Sequence, residues 1–198
     1  MPRLQTLTAP VAVLALTALT LWAITDRPAP AQASPPALVA PSPSSDDAAP
    51  PADPDDPIPA PDFELPTRSG ASFRLSDHRG EVVVLNLWAT WCPPCRREMP
   101  DFIDLHDELS GRGLTVVGVA LDDGWDAVGP FVDDLGVTYP IVVDDGTVDG
   151  LYGPTATFPT TFVIDRAGNV RHYIPGMILR PDLEPLVAEL LAEPVPAS

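Results

Sequence analysis

Twelve of the 27 prolines fall between Asp26 and Pro61, and that crowding decides where a folded domain can begin. Proline lacks a backbone N–H and clashes with the preceding turn, so a run this dense builds neither a helix nor a central strand. Residues 26–61 otherwise hold mostly Ala, Ser and Asp, with almost nothing to bury. They read as a disordered, extended linker, semi-rigid and about 3.1 Å long per residue. Ahead of it, Arg3 is followed by an uncharged stretch from Leu4 to Thr25, densest in apolar residues from Val11 to Ile24. At about 1.5 Å per residue in a helix it is long enough to cross a bilayer. Residues 1–25 are expected to be a signal peptide or an N-terminal membrane anchor, with Ala31-Gln32-Ala33 a cleavage candidate set far downstream. Neither Cys lies near this segment, so a lipid anchor on cysteine is excluded.

Texture changes at Asp62, and a domain is expected over residues 62–193, with a tail at 194–198. Phe63-Glu64-Leu65 and Ser72 to Leu75 flank Arg68-Ser69-Gly70 as a short hairpin. Glu81 to Trp88 and Leu114 to Leu121 are near-continuous apolar runs, as strands buried on both faces require. Between them, Met99, Phe102, Ile103 and Leu105 recur at helical spacing from Pro93 to about Ser110, with a kink expected at Pro100 and a stop at Gly111 and Gly113. A second helix is expected over Trp125 to Leu135, interrupted near Gly129-Pro130. A strand at Pro140 to Val143 and a helical turn at Thr147 to Tyr152 follow. Thr161 to Ile164 joins Asn169 to Ile174 through Asp165-Arg166-Ala167-Gly168, a hairpin signal. Leu183, Leu186, Val187, Leu190 and Leu191 give a closing amphipathic helix over Pro181 to Leu191. Strands alternating with helices and ending in a hairpin plus helix make an α/β sandwich with a mixed sheet.

Eleven basic residues, all Arg, stand against 28 acidic ones, a formal charge of −17. That balance argues against nucleic-acid binding and against docking on anionic lipid through a basic patch. Two cysteines cannot build a disulfide scaffold, so the fold rests on a hydrophobic core.

Those two cysteines carry the chemistry. In Trp91-Cys92-Pro93-Pro94-Cys95 the pair stands where a buried strand gives way to a helix. The first Cys then takes the N-cap, where unpaired N–H groups and the helix dipole favour a thiolate. Pro93 suits the first helical position, where its missing donor costs nothing. Cys95, one turn inside, is the more shielded, so Cys92 is expected as an exposed nucleophile and Cys95 as the resolving thiol. A purely structural bridge is a poor alternative, because so short a loop constrains little of the unfolded chain. A zinc site would need four ligands, and His78, His106 and His172 have no ligand-type spacing.

Two segments resemble a known family. Asn86-Leu87-Trp88-Ala89-Thr90-Trp91-Cys92-Pro93-Pro94-Cys95-Arg96-Arg97-Glu98-Met99-Pro100 is similar to the active-site stretch of the TlpA/ResA group of thioredoxin-like proteins. Phe158-Pro159-Thr160-Thr161-Phe162-Val163-Ile164-Asp165, then Gly168, resembles that group's cis-proline loop and following strand. The resemblance spans Asp62 to about Glu193 and implies a thioredoxin-like three-layer α/β sandwich. It also implies an N-terminal hairpin and a β-α insertion, for which Leu114 to Val143 is long enough.

Carried over by position, the resemblance makes Cys92, Cys95, Glu98 and Pro159 catalytic, with Pro159 a cis-proline facing the dithiol. It places Trp91, Pro93, Phe158 and Thr160 along the substrate, the Phe158 backbone pairing with an extended chain. Two readings of Glu98 stand: a carboxylate that exchanges protons with a thiol one turn away, or a solvated helix charge paired with an Arg. Arg96 and Arg97 are expected to be solvated. Ordinary thioredoxins carry a buried Asp at the position of Asn86; an amide cannot ionise, which makes Glu98 the better candidate for proton acceptor.

The implied activity is reduction of protein disulfides outside the cytoplasm, with electrons from a membrane thiol reductase and no cofactor beyond the Cys92–Cys95 pair. Apocytochrome c and copper-site assembly factors are the implied substrates, although the Thr-Phe-Pro-Thr-Thr loop departs from the Gly-Ala-Pro-Glu-Thr of dedicated cytochrome-c-maturation thioredoxins. Two alternatives remain. A thiol peroxidase would need a Pro-x-x-x-Thr-x-x-Cys setting, which is absent. A copper chaperone would need a third ligand, for which His172 is the candidate.

Overall fold

The computed structural model describes residues 57–122, 124–153 and 155–195. Over them the chain runs β1 (Glu64–Pro66), β2 (Ser72–Arg74), β3 (Val82–Trp88), α1 (Pro93–Leu109), β4 (Leu114–Ala120) and α2 (Trp125–Leu135). It continues through β5 (Ile141–Val143), α3 (Thr147–Tyr152), β6 (Thr160–Ile164), β7 (Val170–Pro175) and α4 (Arg180–Ala192). The segment expected to be a signal or anchor lies outside the described residues. No helix among the described residues is long and apolar enough to cross a membrane.

Every residue of β3 is buried, and the strand's period of two divides them between two cores. Val82, Val84 and Trp88 join a cluster with Met99, Phe102 and Leu105 of α1, Val128 of α2 and Leu183 of α4. Val83, Leu85 and Leu87 point the other way, into a cluster with Phe63, Phe73 and Val148. One sheet is therefore covered by α1, α2 and α4 on one face and by the β1–β2 hairpin with α3 on the other, giving three layers. Its order is β5-β4-β3-β6-β7. β3 runs parallel to β4, and β4 to β5, while β6 is antiparallel to both β3 and β7. Helix α2 and β5 occupy the stretch expected to hold the insertion, and β5 is an edge strand of the sheet.

Two expectations need correction. Composition puts the end of the linker at Pro61, yet chain packing begins earlier: the Ile58 carbonyl accepts the Val170 N–H at 2.8 Å and the Ala60 N–H donates to Gly168 at 2.9 Å. Ala60 is buried, because these residues lie along the edge of β7, where proline is tolerated. Helix α2 is not interrupted at Gly129-Pro130. An interior proline costs about 3 kcal/mol, but burying Val128 and Val132 contributes about 1.5–3 kcal/mol each, so packing holds the helix together. Helix α1 runs through Pro100 as one 17-residue element, with Met99, Phe102 and Leu105 buried along it.

Candidate active site

Strand β3 delivers the chain to the start of α1 through a tight turn in which the Cys92 N–H donates to the Ala89 carbonyl at 3.1 Å. Cys92 is the N-cap, extended at φ −96° and ψ 103°, and its Sγ accepts the Cys95 N–H at 3.2 Å. Pro93 opens the helix. The two sulfurs are joined as a disulfide. Opening that bond leaves Cys92 Sγ at the positive end of a long helix, where a thiolate is stabilised. Cys92 is not exposed in this disulfide form: it is 3% accessible and Cys95 0%, both folded into the apolar cluster with Ala89 and Met99. The nucleophile expected to be exposed is nearly covered, as its partner is.

Asp122, just beyond β4, fixes the turn from across the sheet. Its carboxylate accepts the Thr90 N–H at 2.9 Å and the Thr90 hydroxyl at 2.6 Å. No local signal in the sequence marks this contact, because the partners are 32 residues apart.

The Phe158–Pro159 bond is cis. The Phe158 ring meets Trp91 edge-on with centroids 5.1 Å apart, which sets the proline loop against the dithiol turn. Trp91 is 65% exposed, Pro93 is exposed too, and Pro159 is buried. A groove of about 570 Å³ runs past Phe158 between Leu121, Asp122 and Asp144. Thr160, expected along the substrate, borders a small pocket with Phe162 and Tyr173 rather than the groove at Phe158. It is buried, and its hydroxyl donates to the Thr157 carbonyl at 2.6 Å, bracing the loop from within. Arg97 is exposed, and Arg96, also exposed, pairs with Asp134 and lies over the Phe131 ring. His172 sits opposite Val163 on β7, and among the described residues no three His, Cys, Asp or Glu side chains gather as a metal site.

Glu98 settles between its two readings: it is fully buried, not a solvated helix charge. Its Oε1 accepts from Asn86 Nδ2 at 2.8 Å and its Oε2 from the Ile178 N–H at 3.1 Å. Burial pushes its pKa from 4.5 up to about 8, against these two hydrogen bonds, which favour the charged form. Asn86, though it carries no charge of its own, is thus the partner of the carboxylate. One signal could have found it: an amide inside the apolar strand Val82–Trp88 must meet a buried partner.

A dithiol at a helix N-terminus, a cis-proline loop against it and a buried carboxyl one turn below define a class, the thioredoxin-fold protein-disulfide oxidoreductases, and this chain is such an enzyme. The model of the AhpC/TSA family matches residues 58–173. Over 126 residues the chain is 40% identical to the thiol-disulfide oxidoreductase ResA of Geobacillus kaustophilus, covering 63% of this chain and 72% of that protein. It is 36% identical over 128 residues to the thioredoxin-like protein YneN of Bacillus subtilis, covering 63% and 74%. Among solved structures, a thiol:disulfide interchange protein of Chlorobium tepidum superposes with a TM-score of 0.65 at 32% identity, over 69% of this chain and 98% of that one. A secreted thiol-disulfide isomerase of Corynebacterium glutamicum does so at 0.62 and 32%, over 68% and 86%. The chain belongs to the AhpC/TSA family, among its ResA-like thiol-disulfide oxidoreductases.

Proposed function

We propose that this chain reduces disulfides in other proteins outside the cytoplasm, held at the membrane or released from it by its N-terminal segment. Cys92 thiolate attacks one sulfur of the substrate disulfide; the substrate bond breaks and a mixed disulfide forms. Cys95 then passes its proton to Glu98 and attacks Cys92, closing the internal bridge and releasing the second substrate sulfur as a thiolate. Trp91, Phe158 and Pro159 border the path of an extended substrate. The pair is the redox centre without a further cofactor, and a membrane thiol reductase returns it to the dithiol. Substrates are proteins with accessible disulfides, such as the haem-attachment pair of an apocytochrome c or a copper-site assembly factor.

The observation that carries this reading is Glu98, a fully buried carboxyl three residues after Cys95, whose pKa burial pushes up to about 8. Reduction of insulin disulfides by the full chain tests it. Cys92→Ser abolishes turnover, whereas Cys95→Ser accumulates mixed disulfides through Cys92; equal trapping by both variants would refute the assignment. The reduction potential of the pair decides direction. A value near the thioredoxin value of about −270 mV supports a reductant, and one near about −120 mV makes the protein an oxidant.

A further inference from the structure

We propose that Asn86 is a positioning residue whose side-chain amide turns over whenever Glu98 gains or loses its proton, so that the carboxyl is hydrogen-bonded in both states. This rests on the reading of Glu98 as the proton acceptor of Cys95.

Asn86 on β3, Thr161 opposite it on β6 and Glu98 on α1 are all closed off from solvent. Asn86 Nδ2 donates to Glu98 Oε1 at 2.8 Å and to Thr161 Oγ1 at 3.1 Å. The Ile178 N–H holds the other carboxylate oxygen at 3.1 Å. Asn86 Oδ1, by contrast, is buried without a hydrogen-bond partner, an uncommon state for a core carbonyl.

This arrangement suits a carboxylate, since both Glu98 oxygens accept. A protonated carboxyl drives its O–H toward the N–H of Asn86 or of Ile178. The backbone N–H cannot turn away, but the amide can, because its terminal torsion is broad and a half-turn exchanges Nδ2 with Oδ1. Oδ1 then accepts from the Glu98 hydroxyl. Thr161, whose hydroxyl both donates and accepts, rotates to donate to the same Oδ1. Two hydrogen bonds and one unpartnered amide atom exist before and after the turn. A side chain at position 86 that only donates or only accepts would lock Glu98 in one state.

During turnover Cys95 gives its proton to Glu98 as its sulfur bonds to Cys92. The bond between Cys92 and the substrate sulfur breaks, the substrate thiolate takes a proton from solvent, and Asn86 turns. Loss of the Glu98 proton to solvent turns it back. Other titratable groups face Glu98 as well. Asp101 on α1 repels its charged form, and the Cys92–Cys95 pair lies one turn above. The Tyr139 phenol, ahead of β5, is kept neutral by burial and by Glu98 itself. From β3, β6 and the loop after β7 come the uncharged Asn86, Thr161 and Ile178 N–H.

The test is NMR on the oxidised, isotope-labelled full chain, following the Asn86 side-chain amide and the Glu98 carboxyl carbon from about pH 5 to about pH 10. Both signals move with one midpoint. Asn86→Leu loses a bond that is stronger to the carboxylate than to the neutral acid, so the Glu98 midpoint rises by about one pH unit. Thr161→Val removes one bond from each state and leaves the midpoint in place. An Asn86 amide that stays fixed while Glu98 titrates overturns the proposal, as does an unmoved midpoint in Asn86→Leu or a displaced one in Thr161→Val. Insulin reduction by the unmodified chain is scored separately: its absence removes the functional reading and leaves the amide's response to be judged on the NMR.

Discussion

Replacing Glu98 with Gln keeps the shape of a buried side chain and deletes its ionisation. Burial raises the Glu98 pKa from 4.5 to about 8, which at about 1.4 kcal/mol per unit corresponds to about 5 kcal/mol. The folded pKa lies above the unfolded one, so the fold favours the protonated acid. That contribution is complete below about pH 4.5 and is lost as pH rises through about 8. The amide that replaces the carboxyl titrates nowhere in this range, and every other group titrates in both proteins and cancels in the difference. Glu98→Gln is therefore expected to match the parent in stability near pH 4.5 and to exceed it by up to about 5 kcal/mol above pH 8. Guanidinium unfolding of both oxidised proteins across that range measures the difference. Insulin reduction by the same variant is expected to slow at neutral pH, because the proton acceptor is gone. A stability difference that stays flat with pH would refute the reasoning and return Glu98 to the solvated helix face, where the substitution leaves stability unchanged at every pH.

Three further substitutions probe the frame around the site. A Cβ on Gly118 of β4 would stand 2.9 Å from Trp88 Nε1 and 2.6 Å from Ile141 Cδ1. Trp88 is fully buried and stacked on Phe131, so it cannot give way, and Gly118→Ala is expected to cost about 1–3 kcal/mol in guanidinium unfolding. Asp122→Ala removes both hydrogen bonds to Thr90, with an expected loss of about 1–3 kcal/mol and slower insulin reduction from a loosened dithiol turn. Trp91→Ala touches a side chain that is 65% exposed, so stability should stay within about 0.5 kcal/mol while KM for a protein disulfide rises and kcat holds. A change in kcat alone would show that Trp91 does not work through substrate contact.

Strands β3 and β4 were legible because both faces of each are buried, which leaves an apolar run with almost no interruption. The start of α1 was legible because Cys92, Pro93 and the apolar spacing behind them obey local capping rules. Pro130 points the wrong way for α2, since its cost is local and visible whereas the burial of Val128 and Val132 depends on a sheet assembled from distant segments. Pro59 and Pro61 mislead about the domain boundary in the same way: composition alone gives no hint that this stretch lies along the edge of β7.

At the site the same division holds, and it follows from sequence separation. The cysteine pair and its place at a helix N-terminus depend on neighbours within one turn, so a linear reading reaches them. The state of Glu98 depends on Asn86, 12 residues before it, and on Ile178, 80 residues after it. A carboxyl three residues past Cys95 is written in the chain. Whether it is a surface charge or a buried acid with its pKa raised to about 8 depends on how much water the packed sheet and the loop after β7 exclude, and desolvation is a property of the assembled core rather than of any local stretch of residues.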